Sequence, residues 1–170
     1  MLTENDSEVL FYKNMTHHLQ DLNLDFLAQG FNLILTRNPR EMLASFYQVI
    51  ENPALSDTGY LDHLKLVKYL KEHSIPFIIM DAKEILLNPE ATMKRLCQYS
   101  GIPFDSNMLQ WQAGSRKEDG VWAEYWYTSI HQSTGFKPYQ PKKEPLPEEL
   151  TSLLKQCEPL YSQLLSMRQN

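Results

Sequence analysis

One segment of this chain leaves little choice of local fold. The apolar run over residues 31–35 reads as a buried strand. It delivers Arg37 to the strand's carboxyl end, where open α/β sheets bind their ligands. Asn38 suits a helix N-cap, Pro39 suits the first helical position, and Glu41 has the spacing of a capping box. The helix predicted over 39–50 carries an apolar stripe at Met42, Phe46 and Val49, which Ser45 interrupts. A guanidinium at a strand tip and a hydroxyl on the inward helix face together suit an anion, most simply a phosphate. The same residues equally suit a structural ion pair and a small core residue, and geometry alone does not separate the two readings.

The rest of the chain repeats the alternation. Strands are predicted at 9–12 and 75–80, besides 31–35. Helices are predicted at 60–73, with Tyr60, Leu64 and Val67 inward, at 89–99 with Gly101 as a left-handed cap, and at 120–133. A short helix or turn at 21–27, another at 107–111 and polar loops at 52–59 and 114–119 complete the middle. Strands separated by helices imply right-handed crossovers, hence an α/β fold with a parallel sheet and helices on both faces. The organisation expected is one domain over 1–170, with a proline-rich surface linker at 137–147 and an amphipathic C-terminal helix at 148–168, kinked at Pro159.

Composition sets the outer bounds. With 42% hydrophobic and 22% charged residues, the chain is an ordinary globular one. A net charge of −5 speaks against non-specific nucleic-acid binding, while a local basic pocket for an anionic nucleotide stays compatible with it. Cys97 and Cys157 fall in helical apolar patterns, so both are expected as reduced core residues, and no zinc-type spacing exists. No apolar run reaches membrane length, and the polar, acidic first residues do not read as a leader, so a cytoplasmic location without membrane association is expected.

Leu35-Thr36-Arg37-Asn38-Pro39-Arg40-Glu41, with Ser45 eight positions after Arg37, resembles the 3′-phosphate-binding segment of the sulfotransferase family. Those enzymes transfer sulfuryl groups from 3′-phosphoadenosine 5′-phosphosulfate (PAPS). Two further stretches are similar to the family. Phe77 to Asp81, the Asn88-Pro89-Glu90 helix start and Gly101-Ile102-Pro103-Phe104 match its scaffold. Ser115-Arg116-Lys117-Glu118-Asp119-Gly120-Val121-Trp122 matches its nucleotide-closing loop, with Glu118 in place of a glycine. Two cations ahead of a helix start also suit an anion on physical grounds. The resemblance implies a P-loop-like nucleotide-binding fold. It further implies PAPS or adenosine 3′,5′-bisphosphate as co-substrate, no metal, and a small-molecule acceptor with a hydroxyl or amine. Arg37, Ser45, Arg116, Lys117 and Gly120 would bind the nucleotide.

The same resemblance points to Lys13-Asn14-Met15-Thr16-His17-His18 as the chemical site, in a microbial and plant-type branch. His17 or His18 would be the base that deprotonates the acceptor, a task suited to an imidazole's near-neutral pKa. Lys13 would neutralise charge developing on the bridging oxygen. Only twelve residues precede Lys13, and they hold no phosphate-cradling loop, so the fold is expected to lack its first βα unit. Three possibilities follow from that departure. The chain is a sulfotransferase-like protein inactive by itself, with a second chain a possible source of the missing strand. It is a catalytically dead remnant that binds a nucleotide or a partner. Or, more remotely, it is a nucleotide or small-molecule kinase, which would need a Walker A lysine that the chain does not offer.

Overall fold

Strand β1, Asn32–Thr36, pairs in parallel with β2, Phe77–Asp81, in the register Ile34 to Ile79 and Thr36 to Asp81. The computed structural model describes residues 9–117, 119–121, 123, 127–142 and 145–168. Among these the pair is a two-stranded sheet, and six α-helices surround it. They are α1 (Pro39–Phe46), α2 (Tyr60–Glu72), α3 (Ala82–Leu87), α4 (Pro89–Ser100), α5 (Thr128–His131) and α6 (Thr151–Ser166). The architecture is mixed α/β with a parallel strand pair, and its crossover runs through α1 and α2, as a parallel connection requires.

Two apolar clusters hold the elements. Ile34, Phe77 and Ile79 on one sheet face meet Leu66, Val67 and Leu70 of α2 and Leu164 of α6. Leu43 of α1, Tyr60 of α2, and Leu153 and Cys157 of α6 form the second, with Leu150 just before α6. Helix α6 thus bridges both clusters, and Pro159 lies inside it. Helix α4 ends where Gly101 adopts φ +73°, the left-handed conformation that a glycine reaches without a Cβ penalty. Both cysteines are free and buried.

The structure corrects four local expectations. Residues 9–12 form no strand: they run exposed along the surface, with Phe11 78% accessible, because an apolar run becomes a strand only with a ladder to join. Glu41 closes no capping box. Asn38 does cap α1, accepting from the Arg40 and Glu41 amides at 3.0 and 3.4 Å, but the Glu41 carboxylate turns to Arg37 and Tyr139 instead. Within α1 the fully buried side chains are Pro39 and Leu43, whereas Val49 lies beyond the helix end and is exposed. Helix α1 stops at Phe46 rather than at residue 50, and a further helix, α3, follows β2, started by the Asp81 carboxylate on the Lys83 amide at 2.7 Å. The helix expected over 120–133 is described only at Thr128–His131, and Glu118 and Trp122 lie outside the described residues.

Candidate functional site

Arg37 follows β1 directly and stands at the carboxyl end of the strand pair. Its backbone carbonyl accepts the buried Tyr60 hydroxyl at 2.7 Å, which pins the strand tip to α2. Its guanidinium is 40% exposed and lies 3.8 Å from the Glu41 carboxylate, one helical turn on. At 3.8 Å the two groups are beyond hydrogen-bond distance, so the guanidinium is available to a better partner. Ser45, one turn further along α1, donates its hydroxyl proton to the Glu41 carbonyl at 3.3 Å. Its oxygen in turn accepts from the Lys142 ammonium at 2.5 Å. The Tyr139 phenol donates to the Glu41 carboxylate, and the Lys83 ammonium sits 5.1 Å from the centre of the Tyr139 ring. Three cationic side chains, Arg37, Lys83 and Lys142, therefore gather at this end of the sheet.

A buried polar layer supports them. Asp81 ends β2 at 3% exposure and accepts the Tyr161 hydroxyl at 2.5 Å. The Tyr60 and Tyr161 rings meet edge to face at 6.3 Å. Burial pushes both phenols well above the usual tyrosine range, and the bond to Asp81 adds to the rise at Tyr161. The Tyr139 phenol is also raised, first by its bond to Glu41. All three are therefore neutral donors at physiological pH, and Tyr139 and Tyr161 each hold a carboxylate in place. The Thr36 hydroxyl oxygen, buried beside this layer at the end of β1, has no partner among the described residues.

A second cluster forms on the 116–131 segment. The Asp119 carboxylate accepts from the Arg116 amide at 2.8 Å and meets His131 Nε2 at 2.8 Å. The Arg116 bond, then the His131 bond, hold the Asp119 carboxyl below its ordinary range. The Arg116 guanidinium donates to the Gln112 carbonyl at 3.3 Å. The Gly120 carbonyl accepts from the Ala123 amide, and Lys117 is exposed. Lys13 arrives here from the N-terminal segment: its ammonium donates to the Tyr127 hydroxyl at 3.1 Å, and the Tyr127 ring contacts His131.

The sequence-predicted residues thus fall into separate groups. Arg37 lies between β1 and α1, and Ser45 lies on α1. Lys13 joins the Arg116–Gly120 loop through Tyr127, Asp119 and His131. Among the described residues no hydrogen bond or ion pair links Arg116 or Lys117 to Arg37 or Ser45. His17 and His18 lie on a 3₁₀ turn, Thr16–Leu19, rather than on a strand, so their rings do not point oppositely. They touch edge to face at 4.4 Å, and both are exposed. Lys142, Tyr139 and Tyr161 were not legible as site residues. Lys142 and Tyr139 lie in the proline-rich stretch that reads as a linker, and their partners are 97 and 98 residues away. Among the described residues no group of acidic, His or Cys side chains could hold a metal ion, and no helix is long and apolar enough to cross a membrane.

Comparison with known proteins places this geometry. The sulfotransferase domain family matches residues 2–168, and the chain belongs to that family. Two curated relatives from Arabidopsis thaliana are similar to it, both named as branched-chain-amino-acid aminotransferase-like. Protein 2 is 38% identical over 144 residues, 85% of this chain and 26% of the relative. Protein 1 is 39% identical over 144 residues, 84% of this chain and 25% of the relative. The chain spans about a quarter of the length of these relatives, whose names describe the whole proteins. No solved structure matches the chain.

Proposed function

We propose that this sulfotransferase-family domain binds adenosine 3′,5′-bisphosphate and PAPS, and belongs to a protein that transfers the sulfuryl group to a hydroxyl or amine acceptor. The observation that carries the reading is the placement of Arg37 just past β1 and of Ser45 on α1, both in contact with Glu41, with cations gathered around a half-exposed guanidinium. Arg37 and Ser45 are the 3′-phosphate ligands in this reading, and Arg116, Lys117 and Gly120 close over the nucleotide. For the phosphate to bind, Arg37 exchanges its 3.8 Å contact with Glu41 for charge-assisted bonds to phosphate oxygens. Asn38 already satisfies the first amides of α1, so the helix end itself contributes little beyond its dipole.

His17 or His18 is the acceptor base in this reading. Their exposure leaves both ring systems open to an incoming hydroxyl. Lys13, hydrogen-bonded to Tyr127, stands with the Arg116 loop and supplies positive charge there. The test is calorimetry with adenosine 3′,5′-bisphosphate and with adenosine 5′-monophosphate. The bisphosphate is expected to bind more tightly, and Arg37→Ala to weaken it by about 1.5–3 kcal/mol, the worth of a charge-assisted hydrogen bond. Equal affinity for the two nucleotides removes the 3′-phosphate role.

A nucleotide-binding domain without transfer activity of its own is the second reading. What favours it is that the 170 residues hold no glycine-rich or Lys-Ser/Thr loop for the 5′-phosphosulfate. Sulfuryl transfer requires that group to be held in line with the acceptor, and Arg37 and Ser45 address the nucleotide's other end. Labelled PAPS with a panel of hydroxyl and amine acceptors separates the readings. No transfer is expected from these residues alone, and robust, histidine-dependent transfer overturns that expectation.

A further inference from the structure

We propose that Lys142 is the second cation of the anion site beside Arg37, and that it strengthens the site's preference for a doubly charged phosphate. The inference rests on the reading of Arg37 and Ser45 as phosphate ligands. Its starting point is an unusual pairing: the Lys142 ammonium sits 2.5 Å from a neutral hydroxyl, Ser45 Oγ. Among the described residues no carboxylate lies within ion-pair distance of it. A lysine ammonium has three donors, so at least one remains unspent on Ser45.

The local charges give this position its meaning. Glu41 is the acidic side chain on the facing turn of α1, and its carboxylate already accepts from the Tyr139 phenol and faces Arg37. Arg37 therefore faces a carboxylate that is already engaged, and Lys142 has none within ion-pair distance among the described residues. That imbalance disfavours the empty site and favours an incoming anion. Ser45 fixes the geometry, because its own proton goes to the Glu41 carbonyl and its lone pair faces Lys142. The hydroxyl thus holds the ammonium beside α1 without neutralising it.

The strap that carries Lys142 is tied at two points. Tyr139 bonds Glu41 and Lys142 bonds Ser45, so residues 139–142 run alongside the single helical turn 41–45. One turn rises about 6 Å, and three strap residues span that distance easily. The Lys83 ammonium over the Tyr139 ring adds a further contact near the first tie. Arg116, by contrast, spends its amide on Asp119 and its guanidinium on Gln112, within its own loop.

The experiment is titration calorimetry with adenosine 3′,5′-bisphosphate and adenosine 5′-monophosphate on the wild-type chain, Lys142→Ala, Lys142→Arg and Arg37→Ala. Circular dichroism first establishes that each variant is folded. Lys142→Ala is expected to lose roughly 10–100-fold in bisphosphate affinity, as for one charge-assisted bond, with monophosphate binding unchanged. Lys142→Arg is expected to recover most of the loss. Should Lys142→Ala bind the bisphosphate as wild type does while Arg37→Ala does not, the role of Lys142 is overturned and the phosphate site stands. Should the wild-type chain itself fail to prefer the bisphosphate, the phosphate site and the role of Lys142 fall together.

Discussion

Replacing Tyr161 by phenylalanine tests the buried polar layer on which the site stands. Asp81 is 3% exposed and accepts two bonds, from the Tyr161 hydroxyl at 2.5 Å and from the Lys83 amide at 2.7 Å. The phenylalanine keeps the ring against Tyr60 and deletes one of the two donors to a buried acidic side chain. A hydrogen bond to a charged group is worth about 1.5–3 kcal/mol, and a buried acceptor left short of a donor adds no compensation. At roughly 2–4 °C per kcal/mol for a chain of this size, the melting temperature should drop by about 3–12 °C. Urea denaturation followed by circular dichroism measures the free energy, and the cost of Tyr161→Phe in an Asp81→Ala background isolates the bond. There the same substitution should cost under about 0.5 kcal/mol, since the acceptor is gone. The pH dependence gives a second reading. The Tyr161 phenol is raised by burial and by Asp81, so above pH 10 the unfolded chain loses the proton that the folded chain keeps. Stability from this group is full below about pH 10 and falls as pH climbs toward the folded value, so the gap between wild type and variant narrows there. A Tyr161→Phe protein within about 0.5 kcal/mol of wild type at pH 7 refutes the argument, as does an equal cost with and without Asp81.

Burial lowers the His63 imidazole below its usual range, against an opposing pull from Asp62. The unfolded chain therefore takes up a proton first as pH falls through about 6.5, and stability drops with acidity over that window. In His63→Leu the drop between pH 7.5 and 5.5 should be shallower by urea midpoint, and an unchanged slope assigns the acid sensitivity elsewhere. For the base, His17→Ala or His18→Ala in the transfer-competent protein should cut turnover by roughly 10²–10⁴-fold while sparing nucleotide affinity. Near-normal turnover in both single variants moves the role to Lys13.

What the sequence disclosed and what it hid divide along the range of the contacts. The Arg37–Asn38–Pro39 turn was legible because its signals are local: an apolar run, a capping side chain and a proline, each constrained by its neighbours. Gly101 and the β2 strand were legible for the same reason. The 9–12 run misled because apolar residues announce a wish for burial and not the presence of a ladder partner. Glu41 had the spacing of a capping box, yet two partners from elsewhere, Arg37 and Tyr139, outcompeted the helix end for its carboxylate.

Lys142 marks the limit most sharply. Prolines on either side forbid a periodic pattern, so the stretch reads as a solvent-facing linker, and no local rule assigns its charge a partner. Its position follows from Tyr139 meeting Glu41 and from the Ser45 hydroxyl, contacts across nearly a hundred residues that only the folded chain contains. Arg116 is the opposite case. Its motif-like setting is local and conspicuous, and in the structure its amide bonds Asp119 and one guanidinium donor bonds the Gln112 carbonyl. A motif specifies which residue types stand ready, while the fold decides which of them share an anion. On that ground we assign the proposed phosphate preference to Arg37, which faces Glu41, and to Lys142, which faces Ser45, on either end of the 41–45 turn of α1.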